Sequence, residues 1–371
     1  MARALIIGAG AIGRGFLPWA LDGFEIDFFD ASHELTSRMM TNGGYRSFMS
    51  IEGTLHERLV TPTAATSELG ELELSDYDIA FVSVGPRNVS RLPAEMSGLS
   101  CPVYSLENDP ASVSELAERY GLPRVYFGVP DVITSSTASP EHLGSDPLSL
   151  HTEDGVLYLE DSSEVTEDLK GLLASVEWTP VERLRREWDA KLYLHNTPHC
   201  VAAYLGYLAG CTYLHEGFSS PFIRRTVEGV IEEMLLGLKM STTHDHDFME
   251  LYALKELRRF SNPLLYDPIT RVAREPLRKL QPSGRLTGAL KLLMLSGVAP
   301  TNLMVGIAAA LNYDDPRDTD YPFIRLVDDF GIPAFLKYHL SIEPGSLECR
   351  FIERNLEPAR MYLSRNLPWT S

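Results

Sequence analysis

The fold is decided by residues 4–13, which read Ala4-Leu5-Ile6-Ile7-Gly8-Ala9-Gly10-Ala11-Ile12-Gly13. The apolar run before the first glycine predicts a buried parallel strand, and residues 16–21 predict the start of a helix. Between them, Gly8 permits a tight turn, Gly10 lets the backbone approach a pyrophosphate, and Gly13 lets helix and strand pack closely. This is the dinucleotide-binding fingerprint, in which the pyrophosphate lies at the helix N-terminus. We assign Ile12, inside the turn, to the same cofactor site.

The next strand supplies the second half of the fingerprint. Glu25-Ile-Asp-Phe-Phe29 is followed by Asp30, which lies 17 residues after Gly13. A spacing of about 20 is expected for the carboxylate that binds the adenosine ribose hydroxyls. Because this carboxylate would repel a 2′-phosphate, the sequence favours NAD over NADP as the cofactor.

Buried runs continue along the first third of the chain, at residues 77–84, 102–106 and 124–128. Loops that follow the carboxyl ends of parallel strands line the ligand crevice. We therefore expect Val84 and Gly85 beside the nicotinamide end of the cofactor, and Asn108 and Asp131 in contact with a ligand. Ordinary turn chemistry is the alternative for Asn108 and Asp131.

A change of pattern divides the chain. Residues 136–165 are rich in Ser, Asp, Glu and Pro, and predict a looser excursion with one or two edge strands, notably at 155–159. Beyond residue 185 the period is helical, with helices predicted at 223–240, 248–260 and 301–311. We predict an α/β chain: an N-terminal Rossmann-type doubly wound sheet over 1–187, then a mostly α-helical substrate and catalytic domain over 188–371.

Composition limits the partners. The 371 residues carry a formal net charge of −18, which argues against nucleic acid and anionic membranes but permits a small anionic substrate. The four cysteines are scattered and no long apolar run occurs, so we expect a cytoplasmic protein without a membrane span. His244 and His246 lie on a polar stretch and are read as solvated, so no metal is predicted.

The catalytic candidates lie in the stretch Lys191-Leu-Tyr-Leu-His-Asn196-Thr-Pro-His199. At about 100° per residue, Lys191, Asn196 and His199 fall within one arc of about 140° on a helix. A metal-free alcohol–ketone interconversion needs a group that exchanges a proton and two donors to the oxygen. Lys191 suits the first role if burial lowers its pKa from ~10.4 toward ~7–8. The alternative is that these are surface charges beside a core helix.

A basic cluster follows in this acidic chain, formed by Arg271, Arg274, Arg278 and Lys279. The arginines recur at helical spacing and can share one side, although Pro276 must kink that helix or begin a new one. Bidentate arginines are a natural clamp for a phosphate or carboxylate. A solvated or ion-paired face is the alternative.

Several motifs together resemble the polyol-specific long-chain dehydrogenases, most closely the branch that acts on mannitol 1-phosphate. They are the extended fingerprint through Phe16, Val84-Gly-Pro86, Glu107-Asn108, the 191–199 stretch with Ala203-Tyr-Leu-Gly206, Arg259-Phe-Ser-Asn-Pro263, residues 271–280, and Gly306-Ile-Ala-Ala-Ala310. The resemblance implies a metal-independent, NAD-linked interconversion of a sugar-alcohol phosphate and a ketose phosphate, here mannitol 1-phosphate and fructose 6-phosphate.

The resemblance also implies residue roles. The family's catalytic lysine falls on Lys191 and its oxyanion-binding pair on Asn196 and His199. Its substrate contacts fall on Asn108, Asp131, Arg271 and Lys279, and we assign the additional Arg274 and Arg278 to the phosphate. Where the family has a glycine this chain has Pro198, so we expect the helix to bend or restart there with Thr197 as its cap.

Three other functions stay open at this point. A hydroxyacid dehydrogenase could place similar groups near a nicotinamide, and a hexitol or hexuronate dehydrogenase would share the lysine, asparagine and histidine. A non-enzymatic NAD-binding sensor is disfavoured by the intact set. A monomer or a homodimer is expected.

Overall fold

The computed structural model describes residues 2–107, 109–241 and 246–367. The chain divides into two compact units. The first comprises Met1–Glu187 and the short segment Leu264–Tyr266, and the second comprises Trp188–Pro263 and Asp267–Ser371.

The first unit is built on an eight-stranded sheet with the order β11-β10-β8-β7-β6-β1-β2-β5. All neighbours pair in parallel except β8 with β10, which are antiparallel. A second sheet has the order β4-β3-β9. The strands are β1 Arg3–Ile7, β2 Glu25–Phe29, β3 Tyr45–Ile51, β4 Thr54–Val60, β5 Ala64–Thr66, β6 Ile79–Val82, β7 Val103–Ser105, β8 Val125–Asp131, β9 Leu150–Glu153, β10 Val156–Glu160 and β11 Val176–Thr179.

The sequence of β1 explains why this strand lies inside the sheet, between β6 and β2. Leu5, Ile6 and Ile7 of β1 are fully buried, and they contribute to two different hydrophobic clusters, one on each face of the sheet. A strand covered on both faces has a continuous apolar run instead of an alternating one. The predicted Rossmann-type sheet is therefore confirmed.

Residues 136–165 contain two strands, of which β9 lies at a sheet edge as expected and β10 does not. The strand at 156–160 is internal, because β11 pairs along its outer side. Earlier in the same stretch, β9 pairs with β3, about a hundred residues away in sequence. Neither pairing is visible in a local sequence pattern, and β11 was not predicted.

The segment Leu264–Tyr266 is held in the first unit by specific hydrogen bonds. His151 Nδ1 lies 2.5 Å from the Leu264 carbonyl oxygen, and Ser135 Oγ donates to the Tyr266 carbonyl at 2.8 Å. His151 Nε2 in turn lies 2.8 Å from His142 Nδ1. Since His151 Nδ1 must donate to the carbonyl, its Nε2 accepts from His142.

Helices make up most of the second unit, and α14 lies at its centre, packed against α7, α9 and α17. Gly306 of α14 permits a close approach, because a Cβ there would lie 2.4 Å from Val201 Cγ2. The three helices predicted in this half are confirmed. Within the described ranges, no helix combines the length and apolar character needed to cross a membrane.

The α-helices of the whole chain are α1 Leu17–Ala20, α2 His33–Thr41, α3 Ala111–Tyr120, α4 Pro140–Ser145, α5 Glu167–Leu172, α6 Val181–Ala190, α7 Thr197–Leu208, α8 Leu214–Gly217, α9 Pro221–Ser241, α10 His246–Phe260, α11 Ile269–Ala273, α12 Pro276–Leu280, α13 Thr287–Leu295, α14 Thr301–Ala310, α15 Phe323–Phe330, α16 Ile332–Leu340 and α17 Leu347–Asn366. Two six-residue π-helical turns, Ala11–Phe16 and Lys191–Asn196, directly precede α1 and α7.

Candidate active site

The fingerprint glycines have the geometry that a dinucleotide requires. Gly8 has a φ of +102°, and a Cβ on Gly13 would lie 2.0 Å from the Gly8 carbonyl oxygen. Gly10 is exposed, and no atom lies within 4 Å of the position its Cβ would take. The turn is therefore tightly packed against the protein at Gly13, whereas the space beside Gly10 is empty. These features fit a pyrophosphate approaching the backbone.

The chain continues from these glycines into the first π-helical turn, which includes Ile12. The Leu17 N–H donates to the Ile12 carbonyl, five residues back. Arg14, buried behind the turn, donates from Nε to the Ala9 carbonyl at 2.7 Å and from Nη1 to the Leu148 carbonyl at 2.8 Å. Arg14 therefore supports the glycine turn from its buried side.

Asp30 lies at the end of β2, as the fingerprint predicts. Its Oδ2 accepts from the Ala9 N–H at 2.8 Å, and its Oδ1 accepts from the Ser32 N–H at 2.9 Å. Each carboxylate oxygen has a second lone pair. Asp30 can therefore fix the turn and still accept hydrogen bonds from ribose hydroxyls.

Val84 and Gly85 follow β6, and their position is fixed by Glu107. The Val84 and Gly85 N–H groups donate to the same oxygen, Glu107 Oε1, at 2.7 and 3.0 Å. Burial raises the pKa of Glu107 to about 7, against the lowering effect of these two hydrogen bonds. Glu107 thus acts as a buried support for the loop expected to meet the nicotinamide, a role that the sequence analysis missed although it noted the Glu107-Asn108 pair.

The two polar residues expected at strand ends have different outcomes. Asn108 lies outside the described residues. Asp131 is the last residue of β8, is 3% exposed, and pairs across the sheet with Val156. It is thus a strand residue at the carboxyl end of the sheet, not part of a loose turn.

In the second unit, Lys191 and Asn196 begin and end the second π-helical turn. Residues five apart lie one above the other in a π-helix, because its hydrogen bonds join residues i and i+5. The Thr197 N–H accordingly donates to the Leu192 carbonyl. The two side chains therefore lie closer together than the 100° per residue of an α-helix predicts.

Pro198 accounts for this turn. Proline has no N–H, and its ring clashes with the carbonyl four residues back, here that of Leu194. The chain stays helical from Ala190 through the π-helical turn into α7, so the expected restart with Thr197 as its cap is wrong. Asn196 occupies the N-cap position, and Thr197 lies inside α7. The Thr197 hydroxyl donates to the carbonyls of Leu192 at 3.1 Å and Arg285 at 2.7 Å.

All three predicted catalytic side chains are buried, with exposures of 5% for Lys191, 5% for Asn196 and 7% for His199. They are not surface charges beside a core helix. The Asn196 Nδ2 is buried and has no hydrogen-bond partner among the described residues. An unpaired buried donor is costly, so a group from a ligand is the natural partner for this amide.

His199 is oriented by an acid that the sequence analysis did not single out. Its Nε2 lies 3.1 Å from Asp267 Oδ2, and Arg271 donates from Nε to Asp267 Oδ1 at 2.7 Å. Burial would raise the pKa of Asp267, but Arg271 and His199 together lower it below its ordinary value. Burial also lowers the pKa of His199 despite Asp267.

A neutral His199 facing an ionised carboxylate carries its proton on Nε2. Its Nδ1 then presents a lone pair, and the ring is an acceptor on that side. It becomes a donor on that side only when protonated. The sequence predicts Asn196 and His199 as two equivalent donors. In the structure they differ, because His199 can donate from Nδ1 only when its ring is protonated.

A second histidine, His195, is fixed beside them. Its Nδ1 lies 2.5 Å from Glu256 Oε2, and Arg259 Nη1 donates to Glu256 Oε1 at 2.6 Å. The His199 ring stacks on Phe260 with centroids 5.1 Å apart. Helix α10 thus braces the 191–199 stretch through one histidine–carboxylate contact and one aromatic contact.

The basic cluster does not form one continuous helix face. Helix α11 ends at Ala273, Glu275 has a left-handed φ of +57°, and α12 begins at Pro276. Arg271 pairs with Asp267 and Arg278 with Glu275, at 2.6 and 2.9 Å. Arg274 is exposed.

Lys279 is buried in the junction between these helices. Its Nζ donates to the carbonyls of Val272, at 2.6 Å, and Arg274. Burial lowers the pKa of Lys279 to about 7. The Lys279 side chain therefore links the end of α11 to α12. This structural role does not depend on any contact with a ligand.

In the part of the chain that the structure describes, no group of three or more His, Cys, Asp or Glu side chains is arranged to hold a metal ion. His244, one of the two histidines considered in the sequence, lies outside that part.

The two sequence comparisons with known proteins agree on one family. The family profile described as "Mannitol dehydrogenase C-terminal domain" matches residues 188–335. The chain is 29% identical to the mannitol-1-phosphate 5-dehydrogenase of Caldanaerobacter subterraneus subsp. tengcongensis, over 95% of this chain and 98% of that one. It is 30% identical to the enzyme of the same name from Exiguobacterium sibiricum, over 92% and 93% of the two chains.

Among solved structures, the chain is similar to Pseudomonas fluorescens mannitol 2-dehydrogenase, described as a ternary complex with NAD and D-mannitol. The TM-score is 0.78 at 16% identity, covering 99% of this chain and 94% of that one. At that identity the likeness establishes the shared fold.

Proposed function

The chain belongs to the family of the mannitol-1-phosphate 5-dehydrogenases, and on that premise we propose that it interconverts mannitol 1-phosphate and fructose 6-phosphate with NAD. The observation that carries the proposal is the second π-helical turn. It places a buried Lys191 one turn from Asn196, whose buried Nδ2 has no partner in the described residues. A proton-exchanging amine beside an unused donor is the arrangement needed for an alcohol–ketone conversion.

The roles of the three side chains follow from their environment. In oxidation, neutral Lys191 accepts the proton of the substrate hydroxyl, and in reduction its protonated form returns it. Asn196 Nδ2 donates to the same oxygen as negative charge develops there. Bound NAD supplies the redox chemistry, taking a hydride from the carbinol carbon in oxidation.

His199 completes the set in a way that depends on its proton. The neutral ring, held by Asp267, accepts a hydrogen bond from a substrate hydroxyl at Nδ1. A protonated ring becomes the second donor to the oxyanion, and Asp267 stabilises that charge. His199 thus assists both directions of the reaction without acting as the primary base.

Cofactor binding is proposed for Gly8, Gly10, Ile12, Gly13 and Asp30, with Val84, Gly85 and Asn108 at the nicotinamide end. By motif position, the substrate contacts are Asn108, Asp131, Arg271, Arg274, Arg278 and Lys279. The basic side chains supply the positive charge that a sugar phosphate requires. All four cysteines are free thiols, which supports a cytoplasmic location.

The test is NADH consumption by the purified protein with fructose 6-phosphate, compared with D-fructose, a hexuronate and a 2-keto sugar acid. We expect rapid turnover with the phosphate alone. Turnover confined to fructose or the hexuronate would transfer the proposal to the unphosphorylated branch of the family, and turnover confined to the keto acid would indicate a hydroxyacid dehydrogenase. NADH binding without turnover of any of them would indicate a sensor.

A further inference from the structure

The residues 271–285 bring five cationic side chains into one part of the second unit, and their partners differ. The guanidinium groups of Arg271 and Arg278 are each neutralised by an acid, Asp267 and Glu275. The ammonium of Lys279 is used by two backbone carbonyls. These three cationic groups therefore already have partners within the protein when no ligand is bound.

Arg274 also makes no side-chain hydrogen bond or ion pair within the described ranges, but it is exposed, so water can solvate its charge. Arg285 is different. It is half-buried, and within the described ranges its guanidinium makes no hydrogen bond or ion pair with another side chain or carbonyl. Burial, together with the nearby charge of Arg278, lowers its pKa. A desolvated cation without a counter-ion, among other cations, is unfavourable unless an anion binds.

The backbone of Arg285 is fixed directly to the catalytic turn. Its carbonyl accepts from the Thr197 hydroxyl at 2.7 Å, and Thr197 is the residue between Asn196 and Pro198. The next residue, Leu286, donates its N–H to the Lys279 carbonyl at 3.0 Å. Arg285 is also near enough to His199 for its charge to act on that ring. It is thus positioned by the same groups that position the chemistry.

We propose that Arg285 is the residue that binds the phosphate of the substrate and sets the preference for a phosphorylated sugar. The proposal rests on the function proposed above. A planar guanidinium can donate two parallel hydrogen bonds to a phosphate, and an arginine without an internal acid need not break an ion pair to do so. Arg278 would have to release Glu275, so its contribution is the smaller one.

The experiment compares Arg285→Met and Arg285→Lys with a matched control, Arg317→Met. Arg317 lies in the same unit, is exposed, and pairs with Asp315 at 2.8 Å. For each variant, kcat/KM is measured with fructose 6-phosphate and with D-fructose. The melting temperature is measured with and without inorganic phosphate, and NADH affinity reports that the protein is folded.

We expect Arg285→Met to lose about 10- to 100-fold in kcat/KM for fructose 6-phosphate, the size of a lost charged hydrogen bond, while the value for fructose is little changed. Inorganic phosphate should raise the melting temperature of the wild type and of Arg317→Met, but not that of Arg285→Met. Arg285→Lys keeps the positive charge but lacks the planar guanidinium. Its kcat/KM for fructose 6-phosphate and its stabilisation by phosphate should therefore lie between those of the wild type and of Arg285→Met.

An Arg285→Met protein that keeps its preference for fructose 6-phosphate over fructose, or that is still stabilised by phosphate, overturns the proposal. If Arg285→Met does not fold, an Arg285→Lys protein with unchanged preference overturns it equally. Failure of the wild type to turn over fructose 6-phosphate would instead refute the proposed function. In that case the phosphate-dependent melting temperature still decides whether Arg285 binds an anion.

Discussion

Two turns of the same type, Ala11–Phe16 in the first unit and Lys191–Asn196 in the second, are used for different purposes. Each is a six-residue π-helical turn, and each is followed by one residue and then a proline, Pro18 or Pro198. In each, the proline must avoid the carbonyl four residues back. For Pro18 that carbonyl belongs to Arg14, and it accepts instead from the Tyr45 hydroxyl at 2.9 Å.

The difference lies in which part of the residue meets the ligand. The first turn is rich in glycine, and in the proposed site it brings backbone N–H groups to a pyrophosphate. The second has functional side chains at both ends, and in the proposed site it aligns the Lys191 amine with the Asn196 amide. In both turns of this chain the π-helical geometry would position groups at a binding site. The residues of each turn decide whether those groups are backbone N–H groups or side chains.

The largest expected effect is on the second turn. Replacing Lys191 by Met keeps the apolar stem and removes the base, so turnover should fall by about 10²- to 10⁴-fold. NADH binding, measured by fluorescence titration, should be unchanged because the first turn is intact. Lys291→Met, at a more exposed lysine of the same unit, is the control. Near-normal turnover of Lys191→Met would refute the assignment of the base.

The matching change in the first turn is Gly13→Ala, compared with Gly10→Ala. The Gly13 Cβ would meet the Gly8 carbonyl oxygen at 2.0 Å, so the turn must shift at a cost of about 1–3 kcal/mol. Gly10→Ala has open space around its Cβ and should keep its stability while binding NADH more weakly. Urea denaturation and NADH titration separate the two effects. Equal stability of both variants would show that Gly13 is not packed as described.

A smaller effect is expected from the prolines. Pro198→Ala restores an N–H and removes the clash, so the turn can relax toward an α-helix and rotate Asn196 away from Lys191. Misplacement on this scale should lower kcat by about 10-fold or more. Pro18→Ala should change the KM for NADH and leave kcat nearly unchanged. The steady-state constants of the two variants test this, and an unaltered kcat in Pro198→Ala would separate the π-helical geometry from catalysis.

The smallest effect concerns the support of the nicotinamide loop. The pKa of Glu107 is raised by burial from its ordinary value of 4.5 to about 7, so the folded state holds a proton that the unfolded state loses between these values. The stability contributed by this group is full below pH 4.5, falls as pH rises, and is lost above about 7. Glu107→Gln keeps an oxygen for both N–H groups and should remove this component.

The measurement is urea unfolding of both proteins at pH 5 and pH 8. Glu107→Gln should be the less pH-sensitive, with a difference on the order of 2 kcal/mol between the two proteins. Identical pH dependence in the two proteins would show that Glu107 ionises normally in the fold.

The sequence located the elements that depend on local patterns. The strands at Arg3–Ile7 and Glu25–Phe29 were placed to within a residue, because buried runs bounded by glycine and aspartate are unambiguous. The helices at Pro221–Ser241 and Thr301–Ala310 were placed similarly from their period. The proposed catalytic stretch was singled out because Lys191, Asn196 and His199 stand close together in sequence.

What could not be predicted depends on distant partners. Asp267 lies 68 residues from His199 and Glu256 lies 61 residues from His195, and no local pattern joins them. The spacing of Asp267 and Arg271 at i and i+4 was the only available signal for the first pair. Arg285 is a lone arginine in a turn, and it is distinguished by partial burial without an acid partner among the described residues. The π-helical turns share the apolar period of an α-helix, so the prolines were the only indication.

The segment Leu264–Tyr266 has a consequence for how this chain can be recombined. It is bonded to His151 and Ser135 of the first unit, yet it directly precedes Asp267, which orients His199 in the second. The family profile treats residues 188–335 as one module. A chimera joined at residue 188 would replace this tripeptide, yet His151 and Ser135 could still donate to it, because both acceptors are backbone carbonyls. A donor of the nucleotide-binding half for such an exchange should therefore carry a histidine and a serine at the positions of His151 and Ser135.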